Sequence, residues 1–262
     1  MVLERFSLTD RAAIVTGSGR GIGAAIALAF AEAGADVVLT ARTKEQLDEV
    51  AAQIGELGRR AVVMPGDVND EAHLRSLVDA ATGELGRLDI VVNNAGGSMP
   101  APFLDTPPKA MVAAFRFNVM TAFTLTQMAA PALLESGQGA VVNISSAMGR
   151  LTDRGYAAYG TAKGALSHMT RLLAMDLAPK VRVNGIAVGS VATSALEIVL
   201  QSEELHREMV EKTPLKRLGD PDDVAIAALY LASPAGSFVT GKVFEVDGGI
   251  EAPNLALGLP DL

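Results

Sequence analysis

Seven short runs rich in valine and isoleucine alternate with helix-length segments, and this alternation constrains the fold more than any other feature of the chain. The runs are AAIVT, DVVLTA, AVVMPG, DIVVNN, AVVNIS, VRVNGIAV and KVFEVD. They lack the polar alternation of a strand with one face in water, so we expect both faces to be buried. The pattern predicts an α/β fold with a doubly wound, seven-stranded parallel sheet and helices on both faces.

Length and composition predict one domain over residues 1–262. A chain of 262 residues with 49% hydrophobic content can bury one large core, and a separate second domain would be cramped. We expect a helical substrate flap at about 190–215. The tail at about 250–262 is apolar without a strong pattern, so it is either frayed or docked on a surface such as a neighbouring subunit.

Three classes of protein are disfavoured by composition. The chain has no cysteine, which removes disulfides and zinc–thiolate sites, and we predict no metal site. The net charge of −8 argues against a nucleic-acid partner, because phosphate backbones select basic surfaces. Neither a signal peptide nor an apolar run long enough to span a membrane is apparent. These observations predict a cytoplasmic protein with a small-molecule substrate.

A glycine-rich loop follows the first predicted strand and opens directly into a helix. Its spacing is G-x-x-x-G-x-G on Gly17, Gly21 and Gly23. Glycines let the backbone approach a phosphate, and the helix N-terminus presents free N–H groups. Such a turn is also compatible with a mere tight connection, but its position after the first strand favours a nucleotide site. The predicted contacts are Gly17, Ser18, Gly19, Arg20, Gly21 and Ile22.

The end of the second strand indicates the type of nucleotide. Asp36 begins that strand, too far from its carboxyl end to bind the adenosine ribose. The decisive position is Ala41-Arg42, which has no carboxylate and offers an arginine. We therefore predict NADP(H) rather than NAD(H), with Arg42 and Arg20 binding the 2′-phosphate. The alternative is that both arginines are only solvated surface charges.

Asp67 follows the third strand in the sequence PGDV. A carboxylate there could accept a hydrogen bond from the adenine amino group, or it could cap the next helix. We favour the adenine contact.

Tyr159 and Lys163 are four residues apart, so on a helix they share one face, and Ser146 precedes the tyrosine by thirteen residues. A phenol must have its pKa lowered by roughly three units, about 4 kcal/mol, to act near neutrality. An ammonium about 4 Å away contributes about 4 kcal/mol at an effective dielectric constant of about 20. The charge of Lys163 is therefore large enough to lower the pKa of the Tyr159 phenol by the required amount. The alternative is a half-buried aromatic residue beside a solvated surface lysine.

Together the loop TGSGRGIG, the motif NNAGG at residues 93–97 and the pattern YxxxK resemble the short-chain dehydrogenase/reductase family over nearly the whole chain. The resemblance implies a Rossmann-type fold with strand order 3-2-1-4-5-6-7, hydride exchange between a nicotinamide cofactor and a carbonyl or alcohol, and dimers or tetramers. The catalytic residues it implies are Asn118, Ser146, Tyr159 and Lys163. The further cofactor contacts are Asp67, Val68, Asn94, Ala95, Gly96, Tyr159, Lys163, Gly189, Val191 and Thr193. Val188 replaces the usual proline before Gly189, which makes the Thr193 contact less secure.

Some residues compete for these roles. Ser145 adjoins Ser146, but strand neighbours point to opposite sides, and the spacing from the tyrosine favours Ser146. Tyr156 has no lysine one turn later and is expected at the substrate entrance. His168 is expected to be a packed residue on a helix face.

The mechanism that follows has Ser146 binding the carbonyl oxygen while Tyr159 donates a proton to it. Lys163 would lower the pKa of the tyrosine, and Asn118 would hold a water that relays protons to the lysine. A non-catalytic nucleotide sensor is the rival from another class, and an NAD(H)-dependent alcohol dehydrogenase of the same family is the nearer alternative.

Apolar residues of the predicted loops favour an apolar ketone or secondary alcohol, such as a hydroxysteroid or a 3-oxoacyl thioester. They are Met99, Pro100, Phe103, Met148, Leu151 and Tyr156, next to Ser98. Arg150 and Arg154 would suit an anionic carrier group, or they are exposed charges. Small residues near the tyrosine, including Gly160 and Gly164, would let helices of two subunits approach, or they pack within one subunit.

Overall fold

The computed structural model describes residues 1–193, 196, 201–255 and 259. Seven parallel strands form one sheet in the order β3-β2-β1-β4-β5-β6-β7. The strands are β1 Ala12–Thr16, β2 Asp36–Thr40, β3 Ala61–Val63, β4 Ile90–Asn93, β5 Gly139–Ser146, β6 Val181–Val188 and β7 Val243–Val246. The predicted fold class and strand order are confirmed.

Helices cover both faces of the sheet. They are α1 Gly21–Glu32, α2 Lys44–Glu56, α3 Glu71–Glu84, α4 Pro108–Phe115, α5 Thr121–Glu135, α6 Ala157–Leu177, α7 Glu203–Lys212 and α8 Pro221–Ala232. Residues of α1, α2 and α8 form one hydrophobic cluster with the sheet. Residues of α3, α5 and α6 form a second cluster on the opposite face.

Strand β1 shows why the runs lack polar alternation. Ala13 and Val15 pack into the first cluster, and Ala12 and Ile14 pack into the second. All five residues of the strand are buried. Apolar residues are therefore needed at every position of a strand that is covered on both faces.

A π-helical turn at Arg116–Met120 joins α4 to α5. Such a turn inserts one extra residue into a helix and is often found at a functional site. Here it contains Asn118, whose side chain is buried.

No helix in the described part of the chain is both long enough and apolar enough to cross a membrane.

The predicted flap and tail are only partly described. Helix α7 lies within the predicted flap, but residues 194, 195 and 197–200 lie outside the described residues. Of the tail, residues 256–258 and 260–262 lie outside them as well.

Candidate active site

The carboxyl ends of β1, β4, β5 and β6 border a cavity of about 800 Å³. Parallel strands bring these ends to one edge of the sheet, where open α/β folds bind their ligands. The predicted residues that line the cavity are Gly17, Gly19, Arg20, Gly21, Ile22, Arg42, Asp67, Val68, Asn94, Ala95, Gly96, Ser146, Tyr159, Lys163, Gly189, Val191 and Thr193. Ser18 and Asn118 do not line it.

The glycine loop presents the unpaired N-terminus of α1 to the cavity. Gly17 has φ +65°, in the left-handed region that favours glycine. A Cβ atom at Gly23 would lie 2.2 Å from the carbonyl oxygen of Gly17, so only glycine lets the helix start this close to the loop. Among the described residues no side chain caps the first N–H groups of α1, and the first turn of this helix has no acidic residue. The loop therefore fits a pyrophosphate group.

Ser18 holds the loop in place from behind. It is fully buried, and its hydroxyl accepts a hydrogen bond from the Thr40 N–H at 2.9 Å. The Ser18 N–H in turn donates to the Thr40 carbonyl at 3.1 Å. The side chain thus anchors the loop to the end of β2 rather than facing the cavity.

Thr16 positions the cavity wall formed by the segment after β4, a role that the sequence analysis did not assign. Its hydroxyl oxygen accepts from the N–H groups of Asn94 at 2.9 Å and Ala95 at 3.0 Å. The Asn94 side-chain amide donates to the Thr16 carbonyl at 2.9 Å. The sequence feature that could have indicated these hydrogen bonds is the threonine directly before the first glycine of the loop.

The end of β2 places Arg42 and Arg20 on the cavity rim. Among the residues that the structure describes, neither forms an ion pair, which leaves both guanidinium groups able to bind an anion. Asp36 is at the other end of β2, where Arg59 and Arg60 contact its carboxylate at 2.7 Å. That carboxylate is therefore committed to a structural ion pair, far from the rim.

Asp67 lies on the cavity rim. Its carboxylate accepts from the backbone and side-chain N–H groups of Asn69, each at 2.9 Å, and these hydrogen bonds lower its pKa, with a smaller contribution from the positive charge of Arg42. The N-terminus of α3 is capped by Asp70 instead, which accepts from the Ala72 N–H. Helix capping is therefore not the role of Asp67.

The hydroxyls of Ser145 and Ser146 have different surroundings at the end of β5. Ser145 donates to the carbonyl of Lys163 at 3.0 Å and contacts the Ser167 hydroxyl at 2.8 Å, so it ties β5 to α6. Ser146 accepts from the Met148 N–H at 3.2 Å, and its hydroxyl interacts with that of Tyr159. Of the two serines, Ser146 is therefore the one whose hydroxyl lies beside that of Tyr159.

Lys163 carries a buried amine with no acidic partner among the described residues. Its side chain is 4% exposed, and its Nζ donates to the carbonyl of Ile144 at 2.8 Å. The same nitrogen lies 5.8 Å from the centre of the Tyr159 ring. The amine therefore lies in the site beside the phenol and is not a solvated surface charge.

Burial sets the proton affinities of this pair. It raises the pKa of Tyr159, an effect opposed by the hydrogen bond with Ser146 and reinforced by Tyr156. It lowers the pKa of Lys163 to about 8. Lys163 is not among the groups that shift the pKa of Tyr159 here, so the expectation that the lysine lowers it stays a prediction.

Asn118 supports the cavity from behind. Its Nδ2 donates to the carbonyls of Gly97 at 3.0 Å and Ala114 at 2.8 Å, and its Oδ1 accepts from the Gly97 N–H at 2.8 Å. A Cβ at Gly96 would lie 2.7 Å from this Oδ1 and 3.1 Å from Lys163 Nζ. Asn118 therefore fixes Gly96 and Gly97, the segment that lies between Asn118 and Lys163. Its predicted hold on a water stays a prediction.

The loop after β6 approaches the glycine loop without the usual proline. A Cβ at Gly189 would lie 2.6 Å from Asp247, so this position needs glycine whatever precedes it. Val191 forms a β-bridge with Gly219. Thr193 lies against the glycine loop, with its Cγ2 3.3 Å from where a Cβ of Gly21 would be. The loop thus completes the cavity next to the phosphate-binding turn.

The other end of the cavity is mainly apolar. It is lined by Ser98, Met148, Leu151, Tyr156, Leu196, Met209, Ile250, Pro253 and Leu255. Met99, Pro100 and Phe103, which the sequence analysis placed in the pocket, do not line this cavity. The side chains of Met99 and Phe103 are 83% and 70% exposed. Residues of the tail take their place, because the chain after β7 folds back over the site.

Arg150 does not serve the cavity. It forms ion pairs with Glu245 at 2.9 Å and Asp247 at 3.1 Å, and donates to the Ile250 carbonyl at 2.6 Å. Arg154 donates to the carbonyl of Leu259 at 3.0 Å. The idea that these arginines bind an anionic carrier group is therefore not supported by the geometry.

His168 differs from the expectation, and His73 has a supporting role that was not predicted. His168 is exposed on α6, so it is not the packed residue that we predicted. His73, which the sequence analysis did not single out, is hydrogen-bonded through Nε2 to the Thr40 hydroxyl at 2.8 Å, and burial lowers its pKa. It therefore supports the end of β2 from α3.

Small residues of α6 pack within the chain. A Cβ at Gly160 would lie 2.9 Å from the Met148 carbonyl, and one at Gly164 would lie 3.2 Å from the Gly149 carbonyl. These glycines let α6 approach the loop after Ser146, which keeps the serine and the tyrosine together.

Comparisons with known proteins agree with this geometry. A protein-family model described as enoyl-(acyl carrier protein) reductase matches residues 17–251. An uncharacterized oxidoreductase of Mycobacterium tuberculosis is 58% identical over 263 residues, covering 100% of both chains. The structure of a 7α-hydroxysteroid dehydrogenase complexed with NADH and 7-oxo glycochenodeoxycholic acid has a TM-score of 0.92 at 40% identity, covering 97% of this chain and 99% of that one.

A gluconate 5-dehydrogenase from Burkholderia cenocepacia, solved in complex with NADP and tartrate, has a TM-score of 0.89 at 34% identity. The similarity covers 95% of this chain and 98% of that one. One of these two relatives is thus solved with NADH and the other with NADP.

Proposed function

The chain belongs to the short-chain dehydrogenase/reductase family and is an oxidoreductase, and we propose that it transfers a hydride between NADP(H) and the carbonyl or secondary alcohol of a bulky, mainly apolar substrate. The main support for this proposal is that one cavity is lined both by the glycine loop and by Ser146, Tyr159 and Lys163. A proton donor and a dinucleotide site in one cavity are what carbonyl reduction requires.

The preference for NADP(H) rests on the rim at the end of β2. A Cβ at Gly19 would lie 3.4 Å from the Ala41 Cβ, so the side chain at position 41 faces the glycine loop. A carboxylate there would repel a 2′-phosphate, but alanine does not. Arg42 and Arg20 supply positive charge at the same rim, and a guanidinium binds phosphate with two parallel hydrogen bonds. NAD(H) remains the alternative, since relatives of both kinds exist.

Tyr159 and Ser146 act on the substrate oxygen. In reduction, the Ser146 hydroxyl donates a hydrogen bond to the carbonyl oxygen and Tyr159 transfers its proton to that oxygen as negative charge develops there. Because burial raises its pKa, the phenol is protonated at neutral pH, as a general acid must be. A bound nicotinamide supplies the hydride in this direction and accepts it in the other.

Lys163 and Asn118 prepare the site. The amine of Lys163, with its pKa lowered to about 8, exchanges protons readily near neutrality and is placed to restore the proton of Tyr159. Asn118 holds Gly97 with two of its three hydrogen bonds and so fixes the wall beside the lysine.

The proposed substrate class follows from the apolar end of the cavity. With Arg150 in ion pairs and Arg154 bonded to the tail, the geometry favours a hydroxysteroid-like substrate over a 3-oxoacyl thioester. The similarity to a 7α-hydroxysteroid dehydrogenase supports the same choice.

A substrate panel tests the proposal. Purified protein is assayed with NADPH and with NADH by the loss of reduced-nicotinamide absorbance, using a 7-oxo bile acid, cyclohexanone, a 3-oxoacyl thioester, an enoyl thioester and a keto-gluconate. We expect turnover of the bile acid, with a higher kcat/KM for NADPH. Faster turnover of the thioesters would overturn the substrate class. Cofactor binding without any turnover would instead support the non-catalytic sensor.

We also propose a cytoplasmic homo-oligomer, a dimer or tetramer built from the single domain. Apolar side chains on the outer surface of α4 and α6 support an interface: Val112, Leu172 and Met175 are 67%, 54% and 78% exposed. Light scattering on the eluted protein tests it, and a mass of one chain would refute it.

A further inference from the structure

The chain after β7 forms the outer wall of the cavity, and one buried polar residue lies within that wall. Ile250, Pro253, Asn254 and Leu255 all line the cavity. Asn254 is 5% exposed, although its neighbours in the wall are apolar. A buried carboxamide must be hydrogen-bonded to avoid a desolvation penalty, so its partners show what it holds together.

A chain of hydrogen bonds passes through Asn254. The hydroxyl of Thr213 donates to the carbonyl of Met209 at 2.7 Å, so it can only accept from Asn254, whose Nδ2 lies at 2.9 Å. This fixes the orientation of the amide. Its Oδ1 therefore faces the Ser190 hydroxyl at 2.8 Å, which must be the donor. Each donor in this series of hydrogen bonds therefore has an acceptor, and all the bonds run in one consistent direction.

The three residues belong to three separate segments around the cavity. Ser190 lies in the loop after β6, between Gly189 and Val191. Thr213 follows α7, the helix that contributes the buried Met209 to the lining. Asn254 is therefore the point at which the loop, the helix and the tail are joined.

A second anchor holds the start of the tail. Arg150, in the loop after Ser146, forms ion pairs with Asp247 and Glu251 and donates to the carbonyl of Ile250. Gly248 lies against Thr213, since a Cβ there would be 2.6 Å from the threonine Cγ2. The wall is thus fixed at both ends, by Arg150 relative to Ser146 and by Asn254 relative to the loop after β6.

We propose that Asn254 is a specificity-determining residue that holds the tail wall at a set distance from Ser146 and Tyr159, and so selects for a bulky apolar substrate. The inference rests on the proposed function. A bulky substrate contacts the wall, whereas a small ketone beside the catalytic hydroxyls does not reach it. Loosening the wall should therefore weaken binding of bulky substrates and leave chemistry on small ones intact.

The test uses two ketones from the substrate panel: the bulkiest and the smallest that the wild-type enzyme reduces. We expect these to be the 7-oxo bile acid and cyclohexanone. Asn254→Leu approximately keeps the side-chain size and removes both hydrogen bonds. We expect kcat/KM for the bulky ketone to fall about tenfold, the worth of one or two neutral hydrogen bonds, mainly through a higher KM. Activity on the small ketone should be unchanged. Ala252→Ser, an exposed position of the same tail, is the matched control and should behave as wild type.

Variants of Thr213 test the same chain without altering the tail. Thr213→Val should reproduce the loss, and Thr213→Ser, which keeps the hydroxyl, should restore the wild-type ratio of the two ketones. The double variant Asn254→Leu/Thr213→Val should lose no more than Asn254→Leu alone, because both substitutions remove the same contact. This pair of Thr213 variants also serves if Asn254→Leu does not fold.

The outcomes separate this inference from the proposed function. A wild-type protein that reduces no ketone refutes the proposed function. An active wild type combined with an unchanged bulky-to-small ratio in Asn254→Leu and Thr213→Val overturns the inference. Equal losses on both ketones would also overturn it, because they would show a general structural role.

Discussion

Two buried charged residues lie at opposite edges of the same sheet, Asp89 before β4 and Lys163 beside the end of β5. Asp89 is fully buried, and Arg87 contacts both of its carboxylate oxygens at 2.7 Å, while the Ala12 N–H donates to it at 3.0 Å. Lys163 is also buried but donates only to the Ile144 carbonyl among the described residues.

The difference distinguishes the proposed catalytic edge of the sheet from a structural one. A compensated charge such as Asp89 holds its partners in place. An uncompensated amine such as Lys163 is destabilising in its charged form, and its pKa falls to about 8. Groups whose proton affinity is altered in this way, in a cavity, are typical of catalytic sites.

The largest effect expected is on turnover at the Lys163 edge. Tyr159→Phe removes the proton donor, so kcat should fall by about a thousandfold, while NADPH still binds and the free energy of unfolding does not decrease. Steady-state kinetics and nucleotide fluorescence check this. Tyr156→Phe is the matched control and should keep most of the activity. Activity of Tyr159→Phe above about a tenth of wild type would refute the assignment.

At the Asp89 edge, the expected effect is on stability alone. Asp89→Ala leaves Arg87 and the Ala12 N–H without their acceptor, so the free energy of unfolding should fall by about 3 kcal/mol. Asp89→Asn, which keeps an acceptor for Ala12, should lose less. Urea denaturation gives both values. If the kcat of the folded fraction also falls, the two edges are not functionally distinct.

Removing the uncompensated amine should stabilise the protein. The pKa of Lys163 is lowered from 10.5 to about 8. Because the unfolded chain binds the proton more tightly, the charged amine is destabilising below about pH 8, and the penalty disappears as the pH rises to 10.5. Lys163→Met should therefore be inactive yet more stable at neutral pH, by up to about 3 kcal/mol.

The pH dependence checks the sign of this effect. The stability difference between Lys163→Met and wild type should shrink between about pH 8 and pH 10.5, as measured by urea denaturation at each pH. Lys180→Met makes the same substitution at an exposed position and should show no such trend. A Lys163→Met variant less stable than wild type throughout would show that the amine is a structural group.

The smallest effect concerns an uncompensated cation at the surface. Arg42→Asp should lower the ratio of kcat/KM for NADPH to that for NADH by a factor of about ten to a hundred, the worth of one charge-assisted hydrogen bond. Arg75→Asp makes the same charge change on an exposed part of α3 and should leave the ratio alone. An unaltered ratio in Arg42→Asp would leave the proposed NADP(H) preference without support.

The fold and most of the cavity residues followed from local patterns. Strand runs buried on both faces and a glycine loop after the first strand place the carboxyl ends of the strands at one edge, which brings Gly17, Ser146 and Lys163 together. Ser18 was predicted as a cofactor contact and Asn118 as a catalytic residue, but both lie behind the cavity. A motif gives spacing along the chain and not the direction of each side chain.

The sequence by itself determined the residue types that a proton-transfer site and a phosphate loop need, since these depend on short spacings within one helix or one turn. Only the tertiary structure decided the proton affinities of Tyr159 and Lys163, the pairing of Arg150 with Asp247 and the part played by Asn254. Each of these depends on burial or on contacts between residues far apart in the chain, and neither quantity is written in a local pattern.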